Sequence, residues 1–485
     1  MSQDTEQLLK ETLEKDESFR DSIGTIDESG SRNFLFPKKS QGRYTRKRQY
    51  VSYLLLAVFF GLPFLRANGE PYFMLNVLER KFIIFGQIFW PEDFFLFVLA
   101  MIIGVLFVAV FTVAFGRLFC GWICPQTIFM EHVFRRIEYW IDGDRNQQLR
   151  LSRLPWSNRE KLRKRIIKNG IFFGISFLIA NFFLMYLIGQ PTWWEIVSDN
   201  PANHLSGLSS MLVFSGIFFF VFSWFREQAC IIVCPYGRLQ GALLDRNSVV
   251  IAYDYRRGEK RGKFRKKEDR AAEGKGDCID CQQCVDVCPT GIDIRNGTQL
   301  ECINCTACMD ACDNIMDKID RPRGLIRYDS ENNIAEGKGK IFTGRVKAYL
   351  AILVVLMSIF SYLLFSRSEV EAIFLRMPGQ RYEKLDDNTF YNAYNFKLLN
   401  KTSEDKTYRF ELLEPAGGVL KKAGDSENIT VGASDLTEGA VLIYLDKEML
   451  DGTKTDLKVG VYEGERLVET IKSSFTGPLV KPKRQ

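Results

Sequence analysis

The stretch that most constrains this chain runs from residue 278 to residue 312. It reads CIDCQQCVDVCP, then twelve residues, then CINCTACMDAC. Two C-x2-C-x2-C-x3-C runs this close together have the ligand spacing of a bacterial-type ferredoxin with two 4Fe–4S clusters. A two-residue gap lets thiolates of one tight loop reach three corners of a cube, so the fourth ligand must come from elsewhere. In this pattern the last Cys of each run crosses over. Cys278, Cys281, Cys284 and Cys312 are expected around one cluster, and Cys302, Cys305, Cys308 and Cys288 around the other. A zinc site needs a single set of four, and a disulfide framework suits a small secreted domain. Pro289 follows the first run and Asp313 the second; neither position is a ligand.

The chain has 485 residues and 12 Cys, and none is left over. Eight stand in the ferredoxin runs. The other four form two C-x3-C-P motifs, FGRLFCGWICPQT with Cys120 and Cys124, and FREQACIIVCPYG with Cys230 and Cys234. Such usage commits the thiols to metal or redox chemistry. On a helix, an i, i+4 pair puts both sulfurs on one face, and the Pro after it disturbs or ends the helix. The two motifs read as an internal repeat. Four thiolates there suit soft Cu(I), another metal or a redox-active dithiol; buried packing thiols are the bland alternative. His132, eight residues after Cys124, is a candidate extra ligand but reads better as a surface or capping residue. His204, in an outer loop, carries no chemistry. Glu131 and Asp142 read as solvated.

Hydrophobic residues make up 46% of the chain, and Phe alone counts 39. They gather in five apolar runs, near 51–65, 94–115, 166–188, 208–224 and 346–365. The first is marginal in length; the others have the roughly 17–25 residues a bilayer requires. Arg- and Lys-rich segments at 116–165 and 226–345 belong on one side, and the Lys/Arg-free loop at 190–205 on the other. The N-terminus, both C-x3-C-P motifs and the ferredoxin are therefore expected in the cytoplasm. Residues 367–485 are expected outside, in the periplasm of a cell with two membranes, and that segment contains no Cys. Arg80 and Lys81 in the first outer loop count mildly against this arrangement. The first thirty residues are polar and acidic and show no cleavable signal.

The expected architecture is a multidomain membrane protein. Residues 1–48 are a cytoplasmic tail, acidic over 1–33. Residues 49–225 hold spans one to four, and 226–345 the basic segment and an α+β ferredoxin insert. Residues 346–366 are span five of a five-helix transmembrane bundle. Residues 367–485 alternate polar and apolar positions between turn residues, as in a C-terminal all-β immunoglobulin-like sandwich. Glu463-Gly464-Glu465-Arg466 reads as a hairpin loop within it, and with no catalytic constellation there the default is a docking role. The basic run 256–270 reads as a membrane-surface or solvated linker. It abuts a span and lacks base-stacking aromatics beyond Phe264, which argues against nucleic acid.

Several segments together resemble the CcoG (FixG/RdxA) family of cytochrome c oxidase accessory proteins. They are FPKKSQGR, KFIIFGQIFWPEDF, CGWICPQT with IDGDRNQ, AYDYRRGEKRG, the ferredoxin runs and VEAIFLRMPGQRY. The resemblance implies a multi-pass protein of the bacterial inner membrane that assists biogenesis of cbb3-type haem–copper oxidases. It also implies reduction of Cu(II) to Cu(I) on the cytoplasmic side. The implied cofactors are two 4Fe–4S clusters on the eight ferredoxin Cys, with copper a candidate at Cys120, Cys124, Cys230 and Cys234. Oxidase subunits, copper chaperones or transporters and an unidentified electron donor are the implied partners. A quinol-linked electron-transfer subunit and a non-redox assembly scaffold are the rival readings.

Overall fold

The computed structural model describes residues 25–478, apart from 27–28, 68–69, 78–80, 91–92, 266–267, 271, 367, 379–381, 403, 425–427 and 434. Most of the acidic tail expected over 1–33, and Arg80, lie outside the described residues. The chain divides into two compact units. One comprises Met1–Leu65, Phe73–Val77 and Phe97–Ser358; the other comprises Arg66–Tyr72, Leu78–Leu96 and Ile359–Gln485.

The helices that position the site are α1 (Arg43–Gly61), α2 (Phe94–Phe115), α3 (Arg159–Ile188), α4 (Pro201–Phe225), α5 (Pro235–Leu243), α6 (Ala307–Lys318) and α7 (Gly344–Phe365). Among the described residues α2, α3, α4 and α7 are long and apolar enough to cross a membrane. The 22 residues of α2 carry no charge, and at 1.5 Å per residue they reach about 33 Å. Val105, Met101, Val213 and Val354 point outward, more than half exposed, as side chains facing lipid do. The segment expected as a first span is helical to Gly61, but α1 begins in basic residues, RYTRKRQ. Its apolar part is too short to join the four.

An aromatic core holds the first unit together beside the membrane helices. Phe134 stacks on Phe222 of α4 at 4.5 Å between ring centroids and meets Phe172 of α3 edge-on at 4.8 Å. Phe129 meets Phe59 of α1 at 5.4 Å. Phe129 and Phe134 belong to a π-helical turn, Phe129–Phe134, whose extra residue per turn re-aims side chains.

A buried ionic network lies next to this core. Glu138 accepts from Arg226 at 2.7 and 3.1 Å and from Lys168 at 3.3 Å, while Lys168 also reaches Asp142 at 2.9 Å. Arg135 pairs with Glu131 at 2.5 Å and with Glu227 at 3.6 Å. Asp142 is buried rather than solvated, and Glu131 is largely covered. Burial alone would push Glu138 up, but Arg226, Lys168 and Arg135 outweigh it and hold the carboxyl at about 2.

The ferredoxin insert is bracketed by a two-stranded antiparallel sheet, β1 (Val250–Tyr253) with β2 (Ile326–Asp329), in which Val250 pairs with Asp329. With α6 this makes the α+β insert. The basic run before it keeps Arg256, Lys260, Lys263 and Arg265 exposed, as a solvated linker does, but its last residue is anchored. Arg270 is buried and donates to the carbonyls of Gly276, Gly262 and Cys278, clamping the chain that enters the first Cys loop.

In the second unit, β3 (Val370–Arg376), β4 (Thr389–Asn400), β5 (Lys406–Glu414), β6 (Val419–Lys422), β7 (Asn428–Val431), β8 (Leu436–Asp446), β9 (Lys454–Glu463) and β10 (Arg466–Thr476) form two antiparallel sheets. Their orders are β6-β8-β4-β3 and β7-β5-β9-β10. Inward residues of both sheets interdigitate, Phe374 and Phe396 of one meeting Phe410 of the other at 4.9 and 5.1 Å, as sandwich packing requires. The expected hairpin is present: Glu463 pairs with Arg466, and Gly464 takes φ 61° in the turn. Lys401 joins this domain to the loop before α2 through Asp93 at 2.9 Å.

Candidate metal centre

The two Cys loops of the insert are built alike. Asp280 and Gln282 in the first, and Asn304 and Thr306 in the second, have φ between 52° and 65°. These are four non-glycine residues in the left-handed region, two and four positions after the leading Cys of each run. Such conformations persist only where the surroundings over-determine them. Arg295 does so for the first loop, pairing with Asp280 at 2.5 Å and Asp293 at 2.6 Å and donating to Gln282 at 2.8 Å. A loop wound this way wraps its backbone and its sulfurs around a common centre.

Four of the eight ferredoxin Cys share one pocket. Cys278, Cys281, Cys284 and Cys312 line it, walled by Tyr253, Ile315, Met316, Leu325 and Ile326. Burial pushes Cys284 up to about 12, and Cys281 and Cys278 add to the rise. Burial likewise pushes Cys302 up to about 12 and Cys305 up to about 11, with Cys288 among the neighbours that add to each. Cys308 is raised well above the ordinary thiol range by burial, then by Cys305, Cys302, Cys288 and Cys284. Cys302, Cys305 and Cys308 thus have Cys288 as a neighbour, and Cys308 has Cys284 as well. Thiols crowded together in an apolar setting resist ionising, and bound iron removes that penalty because a coordinating thiol is deprotonated outright. The cavity and the donor sets fit two iron–sulfur clusters.

The C-x3-C-P motifs also come together, but not as helical i, i+4 pairs. In each, the second Cys leaves the helix with extended backbone, Cys124 at φ −56°, ψ 124° and Cys234 at φ −64°, ψ 113°. Each closes a wide turn, Cys124 N–H donating to Phe119 O at 3.0 Å and Cys234 N–H to Ala229 O at 2.9 Å. The following Pro starts a new helix instead of ending one, because its fixed φ and missing N–H suit the first helical position. Across the motifs, Gln240 Nε2 donates to Cys120 Sγ at 3.6 Å and the Arg117 guanidinium donates to Gly237 O. Burial pushes Cys230 up to about 12, with Cys124, Cys120 and Cys234 the next contributors. The four sulfurs thus form one constellation.

This constellation abuts the second ferredoxin loop. Cys120 packs against Val287, Ile303, Cys305 and Ala307. A Cβ at Gly121 would lie 2.4 Å from Ile303 O and 2.8 Å from Asn304 O, so only glycine permits the approach. Arg48 Nε donates to Gly121 O at 2.6 Å, Trp122 Nε1 to Tyr328 Oη at 3.2 Å, and Tyr328 Oη to Asn304 O at 3.2 Å. On the far side of the insert, Asp310 of α6 accepts from the backbone N–H groups of Tyr44 and Thr45 at 3.1 and 2.6 Å, capping α1. Gly42 leaves the room for this carboxylate.

His132 is neither a surface nor a capping residue. It is buried, its Nε2 has no hydrogen-bond partner, and burial, then Arg48 and Arg136, lowers it to about 3. His204 pairs with Asp199 at 2.9 Å. Arg48, Arg117 and Gln240 were not singled out by the sequence; Arg117 and Gln240 stand beside the C-x3-C-P motifs, and Arg48 in the basic run before the first apolar segment. Among the described residues no three or more His, Cys, Asp or Glu converge as around a single metal ion.

Fold and site together define a membrane iron–sulfur protein of electron transport, with a dicluster ferredoxin insert and an immunoglobulin-like tail. Family models agree on each part. A 4Fe–4S binding domain matches residues 97–146, a 4Fe–4S dicluster domain matches 225–331, and an Ig-like fold at the C-terminus of FixG matches 360–478. Protein RdxA of Cereibacter sphaeroides is 32% identical over 466 residues, covering 91% of this chain and 97% of its own. Protein RdxB of the same organism is 33% identical over 445 residues, covering 88% and 92%. The nitrogen fixation protein FixG of Rhizobium meliloti is 30% identical over 448 residues, covering 83% and 84%. The chain belongs to the FixG/RdxA (CcoG) family.

Proposed function

We propose that this protein moves electrons, one at a time, from an unidentified electron donor to Cu(II) at the cytoplasmic face of the inner membrane. The Cu(I) so formed would serve biogenesis of a cbb3-type oxidase. The observation that carries the reading is the seating of the 302–308 loop directly on the turn that holds Cys120, with Gly121 admitting the contact. When bound, the two clusters supply one-electron transfer at potentials set by their surroundings. The chain's residues do the rest. The eight ferredoxin Cys hold the clusters; Arg295 and Arg270 fix the first loop; Val287, Ile303 and Ala307 keep water from the junction. Cu(II) is the substrate, and each ion takes up one electron.

Sidedness is part of the proposal. α7 is the apolar helix between the insert and the tail, so the insert is assigned to the cytoplasm and the tail to the periplasm. Residues 38–45 bind the insert, while α1 continues to Phe59, whose carbonyl accepts from Tyr186 Oη near the end of α3. These contacts support α1 and the turn after it as a fifth crossing. In the test, protein reduced under anaerobic conditions is mixed with Cu(II) and a Cu(I)-specific chelator. One chelated Cu(I) per electron lost is expected. Reduced protein that leaves Cu(II) untouched would overturn the copper reading.

A further inference from the structure

We propose that Cys120, Cys124, Cys230 and Cys234 together ligate a third 4Fe–4S cluster, placed between the ends of α2 and α4 and beside the second ferredoxin set. Four observations carry it. First, the two motifs are one binding unit: Gln240 touches Cys120, Arg117 bonds Gly237 O, and the Phe119 and Tyr236 rings meet edge-on at 6.4 Å. A Cβ at Gly237 would lie 2.5 Å from Cys230 O, so the close turn needs glycine.

Second, the motifs repeat in backbone as well as in sequence, the second Cys of each standing as the N-cap of a Pro-initiated helix. In α5, nine residues long, the helix dipole favours a thiolate at that end. Third, the donor set is all thiol. A donor set of Cys alone is the set that holds a 4Fe–4S cluster. The match of a 4Fe–4S binding domain to 97–146 takes in Cys120 and Cys124, and the dicluster match begins at 225, before Cys230 and Cys234.

Fourth, a counter-charge is in place. Arg117 is buried, and its guanidinium reaches from the first motif to the Gly237 carbonyl of the second. A cation there can offset the negative charge of a thiolate-ligated cluster. The assignment rests on the proposed electron path only for its place as the last station before the acceptor, and metal content tests it separately.

Full-length protein, purified anaerobically and reconstituted with iron and sulfide, is assayed for iron, acid-labile sulfide and copper. The expected content is about twelve iron and twelve sulfide per chain, four of each per cluster. The Cys124→Ser/Cys234→Ser variant is expected to hold about eight of each and to keep the EPR signal of the interacting ferredoxin pair. Wild-type protein saturating at about eight iron, with or without copper on the remaining thiols, overturns the proposal. So does a double variant that retains the full iron content. The wild-type count decides the matter even if the variant fails to fold. A third cluster without Cu(II) reduction would leave this assignment standing and sink the copper reading alone.

Discussion

Gly121 is the residue on which the junction turns. A methyl group there would meet the backbone carbonyl of Ile303 at 2.4 Å, and a carbonyl cannot swing aside as a side-chain tip can. Gly121→Ala is therefore expected to cost about 1–3 kcal/mol, as overpacking does. Cu(II) reduction should fall while the EPR spectrum of the ferredoxin clusters survives, and parallel melting and reduction assays would check this. Glu138 makes a second residue-scale case. Its carboxyl is held at about 2 by three cations against burial, so the folded state favours the ionised form. That stability is complete above the ordinary carboxylate value, about 4.3, and drains away as pH falls from there through about 2. Glu138→Gln leaves Arg226 and Lys168 short of a buried partner and should destabilise the fold by about 3–5 kcal/mol. Thermal melts from pH 7 downward should show the acid-dependent loss in wild type and a smaller one in the variant. Arg117→Met removes a cation beside two thiolate sites and should lower the potential of the nearest by about 60 mV, the tenfold step of a one-electron couple. A redox titration reads it.

At the scale of elements, some of the architecture was written in spacing and some was not. The ferredoxin was legible because its x2 and x3 gaps are a local pattern, and a 4Fe–4S dicluster domain matches the same segment. The sandwich was legible because alternation and the Gly464 turn are local. The form of the C-x3-C-P turns was not legible: a helical reading puts both sulfurs on one face, and only the extended backbone at Cys124 and Cys234 reveals the break. Nor was the burial of Asp142, whose partner Lys168 lies 26 residues away on α3. The docking of Gly121 on Ile303 joins segments that no local pattern connects. The sandwich has its own core and forms a separate unit from the insert. Phe410→Ala, which empties the centre of that core, should cost about 3–5 kcal/mol. Differential scanning calorimetry should show the tail melting earlier, with the visible absorbance of the clusters unchanged through that transition.

For the whole molecule, the proposed path runs from the ferredoxin insert to the Cys120 turn through a contact built from backbone, with the buried ionic network and the cap from Asp310 holding the pieces in register. The measurement that tests this most directly is the reoxidation of reduced full-length protein by Cu(II), followed by stopped flow. Wild type is compared with Cys120→Ser/Cys230→Ser. The account predicts one Cu(I) per electron lost in wild type. In the variant it predicts reoxidation slowed by about tenfold or more, about 1.4 kcal/mol on the barrier, with the ferredoxin clusters still present by EPR. Reoxidation of the variant at the wild-type rate would contradict it, because Cu(II) would then be taking electrons straight from the ferredoxin and the membrane-face thiols would lie off the path.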